Sequence, residues 1–439
     1  MKNNSTKKHV RTGTILIAIS LSLVLINALV YAVIIYAPEI RSRKNIDGLE
    51  AKAVPVNDIY IPDDAVVIGL GEATHGNVEF QELKLQVLQE TVERYDVGSI
   101  SMELDFGTGI AINRYVHGGA GDPALLAEST GYPIYDTKQI ADLIRWIHDY
   151  NLTSEDKVSF YGFDMQAPMY DLPYIEEFCN RYAILSDEEV TAMYYGLNWE
   201  SHSVNKEAEK ASYDVIRRVE AELVDNADKY SDDPDYRVIL QACKSALYCS
   251  KFDNIDSDSE DEEKSGMEIR DLSMAENIRW IQEYEADLGH NRILISAHNG
   301  HVAASGQEFK AMGNNLRDFY GNGYFVIGTD FYYTSDNMNM YGASTERSDE
   351  HFCSADPLAE KAKDYPDGEF YINFRDLKES DGEIYTVTHS PMMMGSIGEG
   401  YQPMWHLMPS YIRGKEVPSE FFDAMIMVYD ATPIRVVHQ

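Results

Sequence analysis

Eight short apolar runs, separated by longer stretches with helical spacing, constrain this chain more than any other feature. They cover 65–71, 97–106, 157–166, 291–302, 323–333, 369–374, 383–389 and 421–430. Runs of that length, rich in β-branched and aromatic residues, read as strands. Between them, 78–95 places apolar residues three and four apart, and 108–117 and 137–150 repeat the pattern, so helices are expected there. Strands alternating with helices predict an α/β fold with a largely parallel central sheet flanked by helices. Residues 171–253 are dense in helix formers and predict a helical insertion or cap over about 168–266. The acidic run 253–263 reads as a solvated loop, since blocks of like charge repel one another.

The polar residues that end these runs carry the chemistry. In open parallel sheets, ligands bind outside the carboxyl ends of the strands. The first run exits into Glu72 and His75, the second into Glu103 and Asp105, and the third into Asp164 and Gln166. The fourth exits into His298 and His301, and the fifth into Asp330. Each has a plainer reading. Glu72 could cap the next helix, because a carboxylate satisfies free N–H groups at a helix N-terminus. His298 and His301 could be satisfied strand-end histidines, although Gly300 allows a sharp turn that aims both rings at one place. Glu103 reads as a buried carboxylate paired with Lys84 or Arg270, and so as a group with a shifted pKa.

The N-terminus obeys a different solvent. No charged residue occurs from Thr12 to Pro38, and Ile15–Tyr36 is apolar enough to cross a bilayer as one helix. The apolar region exceeds the 7–15 residues of a signal peptide and no A-x-A site follows, which favours an uncleaved transmembrane anchor. Lys2, Lys7, Lys8 and Arg11 precede it, placing the N-terminus in the cytoplasm and the remainder outside. Residues 1–44 are thus expected to form tail, anchor and juxtamembrane segment, and 45–439 one α/β domain. A single-pass membrane protein with an extracytoplasmic domain is the expected localisation.

With 37 basic and 73 acidic residues the net charge is −36, which excludes nucleic acid as a partner, because its binding needs a basic stripe. Cys179, Cys243, Cys249 and Cys353 have no metal-type spacing, and Cys243 and Cys249 fall too far apart along one helix to bridge easily. Other disulfides and free buried thiols both remain open.

Taken in order, "GLGEATHGNVEF" (69–80), "SMELD" (101–105), "YGFDMQ" (161–166), "RDLSMAENIRWI" (270–281), "ISAHNGHV" (295–302) and "FFDAMIMVYDATP" (421–433) resemble the erythromycin esterase family. The resemblance runs from about residue 55 to the end. It implies an α/β fold with a helical cap and a cleft that hydrolyses esters, macrolide lactones in the best-known members. Position by position, it implies a general base at His75, companion carboxylates at Glu72 and Glu103, and a histidine pair at His298 and His301. Lys84 and Arg270 match its basic positions, and Asp164 and Gln166 complete the substrate-binding set. Asn77 and Val78 depart from the family turn, at the rim. The membrane anchor departs further and leaves the substrate, a small ester or lactone, open between macrolides and other compounds.

An unperturbed histidine is neutral near pH 7 and can take a proton from water. Glu72 or Glu103 would hold its tautomer, and His298 or Arg270 would stabilise the oxyanion. No G-x-S-x-G elbow is present, so direct attack by water is expected, with no cofactor and no metal. The alternatives are a Zn²⁺-dependent hydrolase using the three histidines, and a non-catalytic binding protein on the same fold.

Overall fold

The computed structural model describes residues 2–198, 204–252, 260–306, 309–341 and 346–438. The central sheet is built from β1 (Val67–Glu72), β2 (Val97–Asp105), β3 (Ser159–Asp164), β4 (Arg292–His298), β5 (Tyr324–Met340), β7 (Glu369–Asn373) and β11 (Ala424–Ala431). Their order is β3-β2-β4-β1-β5-β11-β7; all are parallel except β7, which runs antiparallel to β11. Strands β6 (Arg347–Cys353) and β9 (Gly400–Tyr401) pair with the outer half of β5, while β8 (Met392–Gly395) and β10 (Arg413–Glu416) form a separate antiparallel pair.

Both faces of the parallel sheet are covered, which is why its strands read as continuous apolar runs rather than alternating ones. Ile68, Leu70, Ile100, Met102 and Leu294 face one way, against Leu83, Val87 and Leu88 of helix Val78–Tyr95 and Ile140, Leu143 and Ile144 of helix Lys138–Thr153. Val67, Ile293, Ile295 and Val326 face the other way, against Met274, Ile278 and Ile281 of helix Glu260–Leu288. The expected strands are present, with two corrections. Residues 383–389, expected as a strand, form helix Glu383–Thr388. Gly382 opens it at φ 78°, and Ile384 and Thr388, one turn apart, share its buried face. The Ile384 N–H donates to Asp47 O, so docking against the N-terminal segment overrides β propensity. The fourth strand ends at His298, and Asn299–Val302 is a helical turn.

Helices Leu172–Tyr182, Asp187–Gly196, Lys206–Asp225 and Tyr236–Phe252 fill the long connection between β3 and β4. They bury a cluster of their own, with Phe178, Tyr213, Ile216 and Cys243 packed beside Phe106 and Ile110. Of the acidic run 253–263, residues 253–259 lie outside the described residues, and helix begins at Glu260. All four cysteines are free thiols. The N-terminal helix, Lys2–Ser42, includes a segment of membrane-spanning length and apolarity, Ile19–Ser42, whose most apolar 18-residue window has no buried residue.

Candidate active site

The carboxyl edge of the sheet gathers the polar strand ends into one place because of register. Glu72 of β1 lies opposite His298 of β4, and Met102 of β2 opposite Ser296. A bulge between Met102 and Asp105 falls at Glu103, and bulges re-aim a side chain. As a result Glu103 Oε2 accepts the His298 backbone N–H at 3.0 Å, and its Oε1 accepts from Arg270 Nη2 at 2.7 Å. Arg270 comes from helix Glu260–Leu288 and also grips Asp164, with Nη2 at 2.7 Å from Oδ2 and Nε at 3.2 Å from both oxygens. Its Nη1 lies 3.2 Å from His301 Nε2. His301 Nδ1 faces Asp271 Oδ1 at 2.9 Å, and although burial disfavours its charge, Glu103 and Asp271 raise its pKa.

A second cluster surrounds β1. Lys84, only 1 % exposed, places Nζ 2.9 Å from Glu72 Oε2. His75 Nδ1 lies 3.7 Å from the same oxygen, ion-pair distance but too long for a hydrogen bond. Glu72 does not cap helix Val78–Tyr95; that start is Asn77. Asn77, expected at the rim, is fully buried, donating to Ser335 O at 3.0 Å and Thr432 O at 3.1 Å and accepting from Thr334 and Thr74. It pins the turn that carries His75. Gly76 is required there for space: an added Cβ would strike Asp336 Oδ1 and the Asn337 carbonyl.

The three histidines differ in what their rings do. His298 is tied at both nitrogens: Nε2 donates to Ile397 O at 2.9 Å, and Nδ1 accepts from Gly300 N–H at 3.2 Å. Gly300 is therefore helical and supplies that donor, rather than a left-handed turn. Burial and the neighbouring His75 and His301 push His298 down to about 4, so it is neutral. His301 is held by Asp271 and Arg270. His75 alone of the three has no hydrogen bond at either nitrogen among the described residues, and its ring centroid is 5.0 Å from that of His298. Burial disfavours its charge, but Glu72, then Glu103 and Glu399, override this and push it up to about 9. The neutral resting His75 expected from the sequence is thereby corrected: below that pH the ring is an imidazolium. Burial likewise opposes ionisation of Glu72 and Glu103, yet Lys84 and His75 bring Glu72 to about 2, and His301 and Arg270 hold Glu103 lower still.

Lys84 and Arg270 are both buried and paired with carboxylates, Lys84 with Glu72 and Arg270 with Glu103 and Asp164. Gln166 lies beyond β3, where its carbonyl meets Cys249 Sγ, and no hydrogen bond joins its side chain to these clusters among the described residues. Two further acids lie near the site: Asp105, already visible as a strand-end group, and Asp336, which was not. Asp105 receives Tyr132 OH at 3.0 Å and is pushed up to about 7 by burial and by Asp164. Asp336 is fully buried beside the His75 turn with neither carboxylate oxygen bonded among the described residues, and burial pushes it up to about 8. Asp336 escaped sequence reasoning because β5 runs seven residues past its expected end at 333. Asp271 was legible only as the neighbour of Arg270. No group of three or more His, Cys, Asp or Glu arranged to hold a metal occurs among the described residues.

A doubly covered parallel sheet with acids, histidines and a guanidinium gathered at its carboxyl edge places the protein in the α/β class. The chain belongs to the erythromycin esterase family, whose sequence profile matches residues 92–431. It is 22 % identical over 302 residues to the type II erythromycin esterase of Escherichia coli, covering 61 % of this chain and 70 % of that enzyme. A crystal structure of a Bacillus cereus protein superposes with TM-score 0.72 at 21 % identity, over 89 % of this chain and 98 % of its own. A mutant of the erythromycin esterase EreC in its open conformation gives 0.60 at 17 % identity, over 86 % and 93 %. These structures share the fold, and the family makes the chain a hydrolase of the esterase type.

Proposed function

We propose that this protein hydrolyses a carboxylic ester or lactone by direct attack of water, with His75 as general base. The free nitrogens of His75, beside two histidines whose nitrogens are already committed, carry this reading. Water attacks the carbonyl carbon while His75 takes its proton; collapse of the tetrahedral adduct breaks the C–O bond, and the imidazolium returns the proton to the departing alkoxide. Glu72 stabilises the imidazolium. The Glu103–Arg270–Asp164 network positions His298 and His301. Because Glu72 favours the charged form of His75, the base form is reached on the alkaline side, and turnover climbs toward pH 9.

The erythromycin esterase relatives suggest macrolide lactones as one substrate class, and simple esters and other lactones form the comparison set. The N-terminal helix is read as a retained anchor, with the domain outside the cytoplasm. The test is hydrolysis by the full chain of a macrolide and a panel of aryl esters and lactones, with His75→Asn as blank and with exhaustive chelation as a parallel arm. Loss of all turnover in His75→Asn, with chelated enzyme fully active, is expected. Wild-type-like rates in His75→Asn would refute the mechanism, and loss on chelation would move it to a metal.

A further inference from the structure

The last turns of the N-terminal helix are fastened to the domain along a single strip. Tyr31 OH donates to Leu407 O at 2.7 Å, Arg413 Nη2 donates to Ile35 O at 2.6 Å, and Ser42 and Arg43 reach the Tyr332 and Tyr333 hydroxyls. The segment Gly400–Ile412 therefore runs alongside the helix, with Leu407 level with Tyr31. Tyr31 lies five residues before Tyr36, the last residue of the apolar run, or about 7.5 Å along the axis at 1.5 Å per residue.

The composition of this segment matches that depth. From Gly400 to Ile412, "GYQPMWHLMPSYI", it has no Asp, Glu, Lys or Arg, in a chain with 110 of them. Its large apolar side chains face outward: Leu407 is 63 % exposed, Met404 and Tyr411 49 % each. Trp405 stacks on Tyr411 at 5.7 Å, and exposed Tyr341 meets it edge-on. His406, the one ionisable imidazole, is paired with Glu350 Oε2 of β6 at 2.7 Å. An exposed apolar patch beside a membrane-length helix, with Trp and Tyr at its border, is the composition of an interfacial contact.

We propose that loop 403–411 is immersed in the same bilayer leaflet as the end of the N-terminal helix, so that the domain lies with this face on the lipid. The depth of about 7.5 Å falls within the 5–10 Å to which interfacial apolar elements penetrate. The partner is the apolar layer of the membrane and not anionic headgroups, which the net charge of −36 would repel. Ser410, on this loop, also walls a cavity of about 410 Å³ that reaches His298. The inference rests on retention of the helix and is independent of what the site hydrolyses.

The full chain reconstituted in phosphatidylcholine vesicles tests it through Trp405. The emission lost in Trp405→Phe is expected to be quenched by half or more by lipids brominated near the carbonyl end of the acyl chain, and to be shielded from aqueous iodide. Leu407→Trp in the Trp405→Phe background, at an exposed position that packing does not constrain, should report the same contact. Iodide quenching of both reporters without lipid quenching would overturn the proposal. So would an intact mass showing that residues 1–38 are removed from the membrane-derived protein. Hydrolysis enters neither readout, so a failed esterase assay and a failed quenching assay are distinguishable.

Discussion

Replacing Glu72 with glutamine tests whether that carboxylate sets the proton affinity of His75. A rise from 6.5 to about 9 favours the charged ring by roughly 3.4 kcal/mol, at about 1.36 kcal/mol per pH unit. At pH 7 it leaves about 1 % of His75 neutral. Among the influences that favour the charge, the nearby Glu72 leads, and burial opposes all of them. Without Glu72, burial gains the upper hand and the ring should titrate about two pH units lower, near or below 7. The single substitution also leaves Lys84 buried with Phe80 O, at 3.4 Å, as its one remaining partner among the described residues. An uncompensated buried charge costs about 3–5 kcal/mol, so the informative variant is Glu72→Gln combined with Lys84→Met. The assay is an NMR titration of the imidazole resonance that disappears in His75→Asn, followed from pH 5 to 10 beside the kcat/KM profile. Wild type should show one ionisation near 9 by both methods, and the double variant should move both together. A His75 resonance within half a pH unit of wild type would refute Glu72 as the determinant. A resonance that moves while the kinetic limb stays would instead refute His75 as the base.

Other expectations concern stability and the neighbouring acids. His75 binds its proton more tightly when folded, so its contribution is complete below pH 6.5 and is lost as pH rises through about 9; His75→Asn should flatten this part of a thermal-melting profile. Asp336 has the same sign over a lower window, complete below 3.8 and lost as pH rises through about 8, so Asp336→Asn should melt higher than wild type at pH 8. A lower melting point would show that Asp336 is ionised and paired. Arg270→Met strands the buried Glu103 and Asp164 carboxylates and should cost about 3–5 kcal/mol in denaturant unfolding, far above an exposed pair such as Lys210–Asp214. Gly76→Ala should abolish turnover, because its Cβ collides with Asp336 and the Asn337 backbone and displaces the His75 turn.

Local pattern carried most of the architecture. Strands buried on both faces must be apolar along their whole length, and helices flanking them must carry one apolar stripe, so both could be read before any contact was known. Residues 383–389 show the limit: β-branched composition pointed to a strand, and a bond to Asp47 with burial of Ile384 made a helix. The site divides in the same way. Glu72, His75, Glu103, Asp164, His298 and His301 were visible as polar ends of apolar runs. Asp336 was not, because a carboxylate in the polar alternation of "YTSDNMN" looks solvated until the outer half of β5 is folded over the Gly76 turn.

The sequence by itself determined that the chain has a parallel sheet with covered faces, a membrane-length apolar helix and a row of ionisable groups at strand ends. Those follow from the spacing of apolar residues, a property of neighbours along the chain. Which groups pair, which histidine keeps free nitrogens and which way each pKa moves was decided only by tertiary structure. Lys84 goes to Glu72, and Arg270 goes to Glu103, Asp164 and His301. Charge interactions between residues far apart in the chain, 167 positions for Glu103 and Arg270, depend on distance and burial, and neither exists until strand register brings the sheet edge together.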